Sequence, residues 1–304
     1  GHAATADYIE REFNDIFGPE NVHVEEFPVA APVDLGTRFE VLDGGPAFES
    51  GLHPFHPFLV KLQTLPDGRA EGPVFYCGKG KTEDFDGKPI PGSIVLLDFD
   101  SADAYLMARS IGAQCAIILS RGDMNQHEAF AKTNYIPVDA PLFFAEPEAS
   151  EALLAAAERG GRIRVESQSA WRNVMARNIW GEFRGDPSPI PDSAKMKWTK
   201  KTWDRNTLVV NAYYDSTSVV PGLAPGASAS AGILALVNSA RHMKAAIDRG
   251  EPNKYRIVFL ANAAHYMNFE GITDFLCRHA RGPNSAYVKA IPPSDRLDPR
   301  LIIS

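Results

Sequence analysis

The apolar run Tyr255-Arg-Ile-Val-Phe-Leu-Ala261 lies between two helical stretches, and this alternation constrains the fold more than any other feature of the chain. Before it comes Gly232 to Ile247, stopped by Gly250 and Pro252, and after it Phe269 to Arg281, stopped by Gly282-Pro283. A further strand-like run, Leu208-Val-Val-Asn-Ala-Tyr-Tyr-Asp-Ser216, precedes the first of these helices. Parallel strands need crossover connections, and helices supply them, so this order predicts an α/β fold with a mostly parallel sheet and helices on both faces. Sheets of that kind bind ligands at the carboxyl ends of their strands, which directs attention to the residues closing 208–214 and 255–262.

The rest of the chain divides by texture. Residues 4 to 17 place Tyr8, Ile9, Phe13, Ile16 and Phe17 on one helical stripe with Gly18-Pro19 as the stop, and Val22, Val24 and Phe27 form a short strand closed by Pro28. From about residue 38 to 168, short apolar runs are separated by Gly and Pro. Strands at Pro73-Val-Phe-Tyr-Cys77, Ser93-Ile-Val-Leu-Leu97, Ala116-Ile-Ile-Leu119 and Pro141-Leu-Phe-Phe144, with helices at Ala104 to Ile111 and Glu148 to Glu158, read as a small α/β insertion. Arg172 to Phe183 alternates as a strand, and Pro187, Pro189 and Pro191 make Gly185 to Asn206 a loop.

With 304 residues and 44% hydrophobic content the chain can bury a full core, as one large domain or two ordinary ones, and two are read here. A net charge of -7 argues against a nucleic-acid footprint, which needs clustered positive charge. Cys77, Cys115 and Cys277 are odd in number and show no Cys-x-x-Cys spacing, so neither a disulfide framework nor a zinc knuckle is indicated. No run of about 18 apolar residues is present, so nothing in this sequence reads as a membrane span.

Five segments carry a resemblance. Ala6-Asp-Tyr-Ile-Glu-Arg-Glu-Phe13 with Asn21-Val-His-Val-Glu-Glu-Phe-Pro28, then Leu208 to Ser216, then Ala224-Pro-Gly-Ala-Ser-Ala-Ser-Ala-Gly-Ile233, resemble in order the zinc-dependent aminopeptidase and glutamate-carboxypeptidase-like metallopeptidases. Between them, Gly72 to Leu154 is similar to a protease-associated domain, notably at Gly78-Lys-Gly-Lys-Thr-Glu-Asp-Phe85 and Ile111-Gly-Ala-Gln-Cys-Ala-Ile117. The resemblance implies a peptidase-like α/β domain from 1–37 and 169–304, incomplete at its C-terminal end, interrupted by a protease-associated insertion at 38–168. Arg300-Leu-Ile-Ile-Ser304 reads as a strand broken in the middle, and Gly1-His2 as what tag cleavage leaves behind. Both suggest a fragment of a longer protein, extracytoplasmic and tethered to a membrane through segments outside this sequence.

In the resembling enzymes histidine and carboxylates hold two zinc ions at the strand ends, and a glutamate takes a proton from the metal-bound water. Position by position, the first histidine falls on Tyr213, while Asp215 keeps its place beside it. The bridging aspartate falls on Ser228 or Ala229, and the paired glutamates on Ala263 and Ala264. A phenol with a pKa of about 10 is a poor zinc ligand, and methyl groups coordinate nothing and accept no proton. The expectation is a pseudoenzyme with no metal, cofactor or catalytic residue, which binds a protein, peptide or glycan partner. Two alternatives stand beside it: an active zinc exopeptidase, and a metal-free hydrolase in which His265 serves as base, Asp215 orients it, and Ser216, Ser228 or Ser230 is the nucleophile.

Two further constellations attract attention. His53-Pro-Phe-His56 lacks the helical spacing of a zinc motif and reads as packing, with Phe55, Phe58 and Tyr76 seating the insertion against the main domain. Lys195-Met-Lys-Trp-Thr-Lys-Lys-Thr-Trp203 sets Trp198 and Trp203 among lysines, which suits a partner surface or membrane headgroups, or a solvated loop whose tryptophans pack back onto the sheet.

Overall fold

The computed structural model describes residues 2–303 apart from 43, 57–61, 63, 135–136, 186–206, 221–222, 224–225, 254 and 280–298, and only the backbone of 2, 226–229 and 299–303. In chain order the first elements are α1 (His2–Phe17), β1 (Val22–Val41), β2 (Ala47–Phe48), β3 (Leu52–Pro54), β4 (Arg69–Tyr76), β5 (Ile94–Leu97), α2 (Tyr105–Ser110), β6 (Cys115–Leu119) and α3 (Gln126–Ala131). They continue with β7 (Leu142–Ala145), α4 (Pro147–Glu158), β8 (Arg162–Phe183), β9 (Thr207–Tyr213), α5 (Gly226–Asp248), β10 (Arg256–Asn262), α6 (Glu270–His279) and β11 (Pro299–Ile303). These form two compact units, one of Gly1–Ala31, Asn173–Ser216 and Pro225–Ser304, the other of Pro32–Arg172 and Thr217–Ala224. The chain crosses between them within β1, within β8, and at each end of Thr217–Ala224.

In the first unit β9 lies between β10 and β11 and is parallel to both, while β8 pairs with β10 in the antiparallel sense. The sheet is therefore mixed. No helix intervenes between β8 and β9 in the described chain, and an antiparallel neighbour needs no crossover. Helices do cover both faces, because side chains alternate along β10. Phe259 and Ala261 face a core built with Ile9, Phe13 and Phe17 of α1 and Ile233, Leu236 and Val237 of α5. Val258 and Leu260 face the other side, with Trp180, Val209 and Phe275 of α6.

β1 is much longer than the short strand the sequence suggested, since neither Pro28 nor Pro32 ends it. β2 reaches only Phe39 and Glu40, so both prolines sit where β1 has a single neighbouring strand and a missing N–H need not break a ladder bond.

The second unit has parallel β4, β5, β6 and β7 in that order, with β8 antiparallel at the β4 edge and β3 antiparallel at the β7 edge. Every residue of β5 and β6 is buried, which explains why these runs lack polar alternation. Phe55 belongs to this unit's own core with Cys77, Val95 and Phe144, whereas Tyr76 packs on a different core and donates its hydroxyl to Asp98 at 2.9 Å. Phe55 and Tyr76 therefore do not form one aromatic cluster, and Phe58 lies outside the described residues. His53 Nε2 bonds Glu146 Oε1 at 2.7 Å, and the backbone N–H of His56 donates to the Val219 carbonyl.

All three cysteines are free thiols. Burial pushes Cys77 up to about 11 and Cys115 up to about 12, while Cys277 is half-buried. Thiol reactivity follows the thiolate. Ellman's reagent is expected to modify Cys277 alone in native protein and all three after denaturation, and fast native labelling of Cys77 or Cys115 would contradict the packing described.

Candidate functional site at the strand ends

Parallel pairing of β9 and β10 sets Tyr213 level with Asn262, so the segments that follow each strand emerge side by side. Tyr214 carries the pairing one step further by donating its N–H to Asn262 at 3.2 Å. Ala263 and Ala264 come next, both buried. Ala264 has a φ of 54°, the left-handed region that costs a non-glycine residue free energy, and this turns the chain sharply toward α6. Asn268 and Phe269, with φ of 59° and 60°, turn it again before the helix.

Two groups fix this corner from below. Asn178 of β8, fully buried, accepts the Ala263 N–H at 3.3 Å and donates to the Gly271 carbonyl at 2.8 Å. Gly271 permits close contact: a Cβ there would fall 2.0 Å from the Ala263 carbonyl oxygen. Sequence reasoning did not single out either residue. Asn178 left one trace, a short amide side chain within a strand, where such residues are depleted.

Above the corner stands an aromatic cluster. The His265 imidazole stacks on the Tyr213 ring with centroids 4.0 Å apart and planes inclined by 16°. Tyr266 meets Tyr213 edge-on at 5.5 Å, and Phe269 meets His265 edge-on at 4.8 Å. The Tyr266 hydroxyl donates to the Tyr213 oxygen at 3.4 Å, and this bond, followed by burial, pushes Tyr266 up to about 12. Asp215 Oδ2 accepts the Tyr266 N–H at 3.4 Å. Its Oδ1 is buried and has no hydrogen-bond partner among the described residues.

The expected site residues thus divide. Tyr213, Asp215, Ala263, Ala264 and His265 converge at one place. Ser228 and Ala229 lie in the first turn of α5, which begins at Gly226 rather than at Gly232, and only their backbone is described. Trp198 and Trp203 lie outside the described residues. Among the described residues Asp215 makes no hydrogen bond to His265, whose ring is engaged by stacking, so the base and orienter pair of a serine hydrolase is not formed. Likewise, among the described residues no three His, Cys, Asp or Glu side chains converge as a metal site would require.

The α/β architecture is a zinc-exopeptidase-like fold. Two solved structures carry that likeness. A zinc aminopeptidase from Bacillus subtilis superposes with a TM-score of 0.55 at 18% identity, covering 92% of this chain and 59% of that one. A peptidase M28 precursor from Shewanella amazonensis SB2B gives 0.52 at 13% identity, covering 90% of this chain and 61% of that one. The chain therefore spans less than two thirds of the length of either. No family model matches the sequence, and no curated protein matches it.

Proposed function

We propose that this chain is a non-catalytic module on the zinc-exopeptidase fold, which uses the carboxyl ends of β9 and β10 to hold a protein, peptide or glycan partner outside the cytoplasm. In this reading the second unit is a protease-associated domain, and Trp198 and Trp203 contribute to partner binding. A pair of zinc ions needs several imidazole and carboxylate ligands to offset its charge. Among the described residues the strand ends offer instead a phenol covered by an imidazole, two buried methyl groups and the carboxylate of Asp215. That donor set does not fit two zincs, and no catalytic step is routed through them. What remains is suited to binding: Asp215 Oδ1 has no donor among the described residues, and half-buried aromatic rings flank it. An amide N–H or sugar hydroxyl would satisfy the oxygen while the rings take an apolar face.

The observation that carries this reading is the complete burial of Ala263, a methyl where the chemistry needs a proton acceptor. Loss of a general base alone costs roughly 10²- to 10⁴-fold in rate. Elemental analysis of purified protein is expected to give far less than one zinc per chain, with no turnover of aminoacyl-nitroanilides when zinc is added. Near-stoichiometric zinc with turnover would restore the exopeptidase reading. Among the described residues no helix is long and apolar enough to cross a membrane.

A further inference from the structure

At the opposite end of β10 from Ala263, the first unit contains a cavity of about 170 Å³ lined by Trp180, Arg256, Arg278 and His279, with His23, Glu25 and Arg184 completing the wall. Its polar groups are unusual in what they lack. Trp180 is 3% exposed and His279 4%, yet the indole Nε1 and the imidazole Nδ1 are both buried without a hydrogen-bond partner among the described residues. The ring of Trp180 is held rigidly, stacked on His23 at 3.9 Å and met edge-on by Phe275 and His279.

The charges around the cavity balance. Glu182, fully buried, accepts from Nε of both Arg256 and Arg184; burial, the largest single influence, opposes its ionisation, but the hydrogen bonds and charges of Arg256 and Arg184 together outweigh it and lower its pKa. Arg278 pairs with Asp274 at 2.7 Å and donates to the Glu26 carbonyl. Arg256 bonds Glu182 through its Nε, and among the described residues its terminal amines make no hydrogen bond. His279 Nε2 lies 2.7 Å from Glu25 Oε1, and a carboxylate can only accept, so Nε2 carries a proton and the tautomer this bond selects offers Nδ1 as an acceptor. Glu25 Oε2, also buried, is a second acceptor without a partner among the described residues. The cavity therefore presents unsatisfied donors of indole and guanidinium type together with unsatisfied acceptors.

We propose that this cavity is a binding site for a phosphate group, free or on a small monoester, in its hydrogen-phosphate form. A guanidinium beside an indole N–H favours an oxyanion over a neutral ligand. A carboxylate could satisfy those donors but not the acceptors, since it has no proton to give. Hydrogen phosphate does both: its unprotonated oxygens accept from Trp180 and Arg256, and its P–OH donates to His279 Nδ1 or Glu25 Oε2.

Calorimetric titration near neutral pH with inorganic phosphate, glycerol phosphate and acetate tests this directly. At least one of the two phosphate ligands is expected to saturate below about 10 mM and acetate is not. Trp180→Phe keeps the ring and removes the N–H, while Arg256→Lys keeps a charge against Glu182 and removes the fork; each is expected to weaken binding by about tenfold or more in protein whose circular dichroism is unchanged. Preference for free phosphate over glycerol phosphate would indicate a closed pocket, the reverse an ester substituent. Absence of saturation by either phosphate ligand, equal binding of acetate, or unaltered affinity in Trp180→Phe would overturn the assignment. The zinc measurement does not bear on it, because the two sites occupy opposite ends of β10.

Discussion

Ala263→Glu is expected to lower the stability of the protein by about 3 kcal/mol or more at neutral pH, without bringing zinc to the chain. Ala263 is fully buried in the core shared by α1, α5 and β10, and its backbone is already engaged, the N–H with Asn178 and the carbonyl packed against Gly271. A glutamate introduced there meets no cation among the groups described at the corner. Ionised, it is an uncompensated buried charge; protonated, it still buries a polar group in an apolar core. Burial raises the carboxyl pKa in the folded state above its unfolded value, so the deficit relative to wild type is smallest at pH values below the unfolded pKa and grows as pH rises through the folded one. Urea denaturation of the variant and wild type at about pH 5 and pH 8 reads this difference as a widening gap in midpoint. A loss below about 1 kcal/mol accompanied by bound zinc would mean that the corner is open and close to catalytic, and the binding-module reading would fall.

How much of this was legible in the sequence depends on what each inference needed. β10 could be read because a strand buried on both faces shows an unbroken apolar run, β9 from the shorter run Leu208 to Val210, and the flanking Gly and Pro marked α5 and α6. The antiparallel direction of β8 could not be read, since alternation gives the faces of a strand but not its sense. Nor could the length of β1, because a proline is a strand end only where both neighbours are paired. At the strand ends the family resemblance pointed to Tyr213, Asp215 and the two alanines, and the level pairing of β9 with β10 brings these residues side by side. It read His265 as a possible base, whereas the structure uses that ring as a stacking partner, a choice that depends on the level pairing of Tyr213 with Asn262. Tyr266, Asn178 and Gly271 escaped notice for the same reason: each acts across the fold on residues distant in the chain.

Gly271→Ala is expected to be nearly as costly as the buried charge, by a steric route. The new Cβ would meet the Ala263 carbonyl oxygen at 2.0 Å and Asn178 Oδ1 at 2.9 Å, and the first of these is backbone that cannot rotate away. Relief requires α6 to withdraw from the end of β10, which lengthens the Asn178 bond to the Gly271 carbonyl and loosens the packing of Phe275 on Trp180. Overpacking of this kind typically costs about 1–3 kcal/mol and sometimes more, and with a bridging amide lost in addition a value near 3 kcal/mol is expected. Gly232 of α5 supplies the control, because a Cβ there meets only Ala212 Cβ at an ordinary 3.8 Å. Gly232→Ala should therefore gain roughly 0.5–1 kcal/mol from helix propensity alone. Thermal melts of the two variants are expected to move in opposite directions from wild type. If Gly271→Ala melts with wild type, the close approach of α6 to Ala263 is not what fixes the corner, and the fixed placement of His265 over Tyr213 would need another cause.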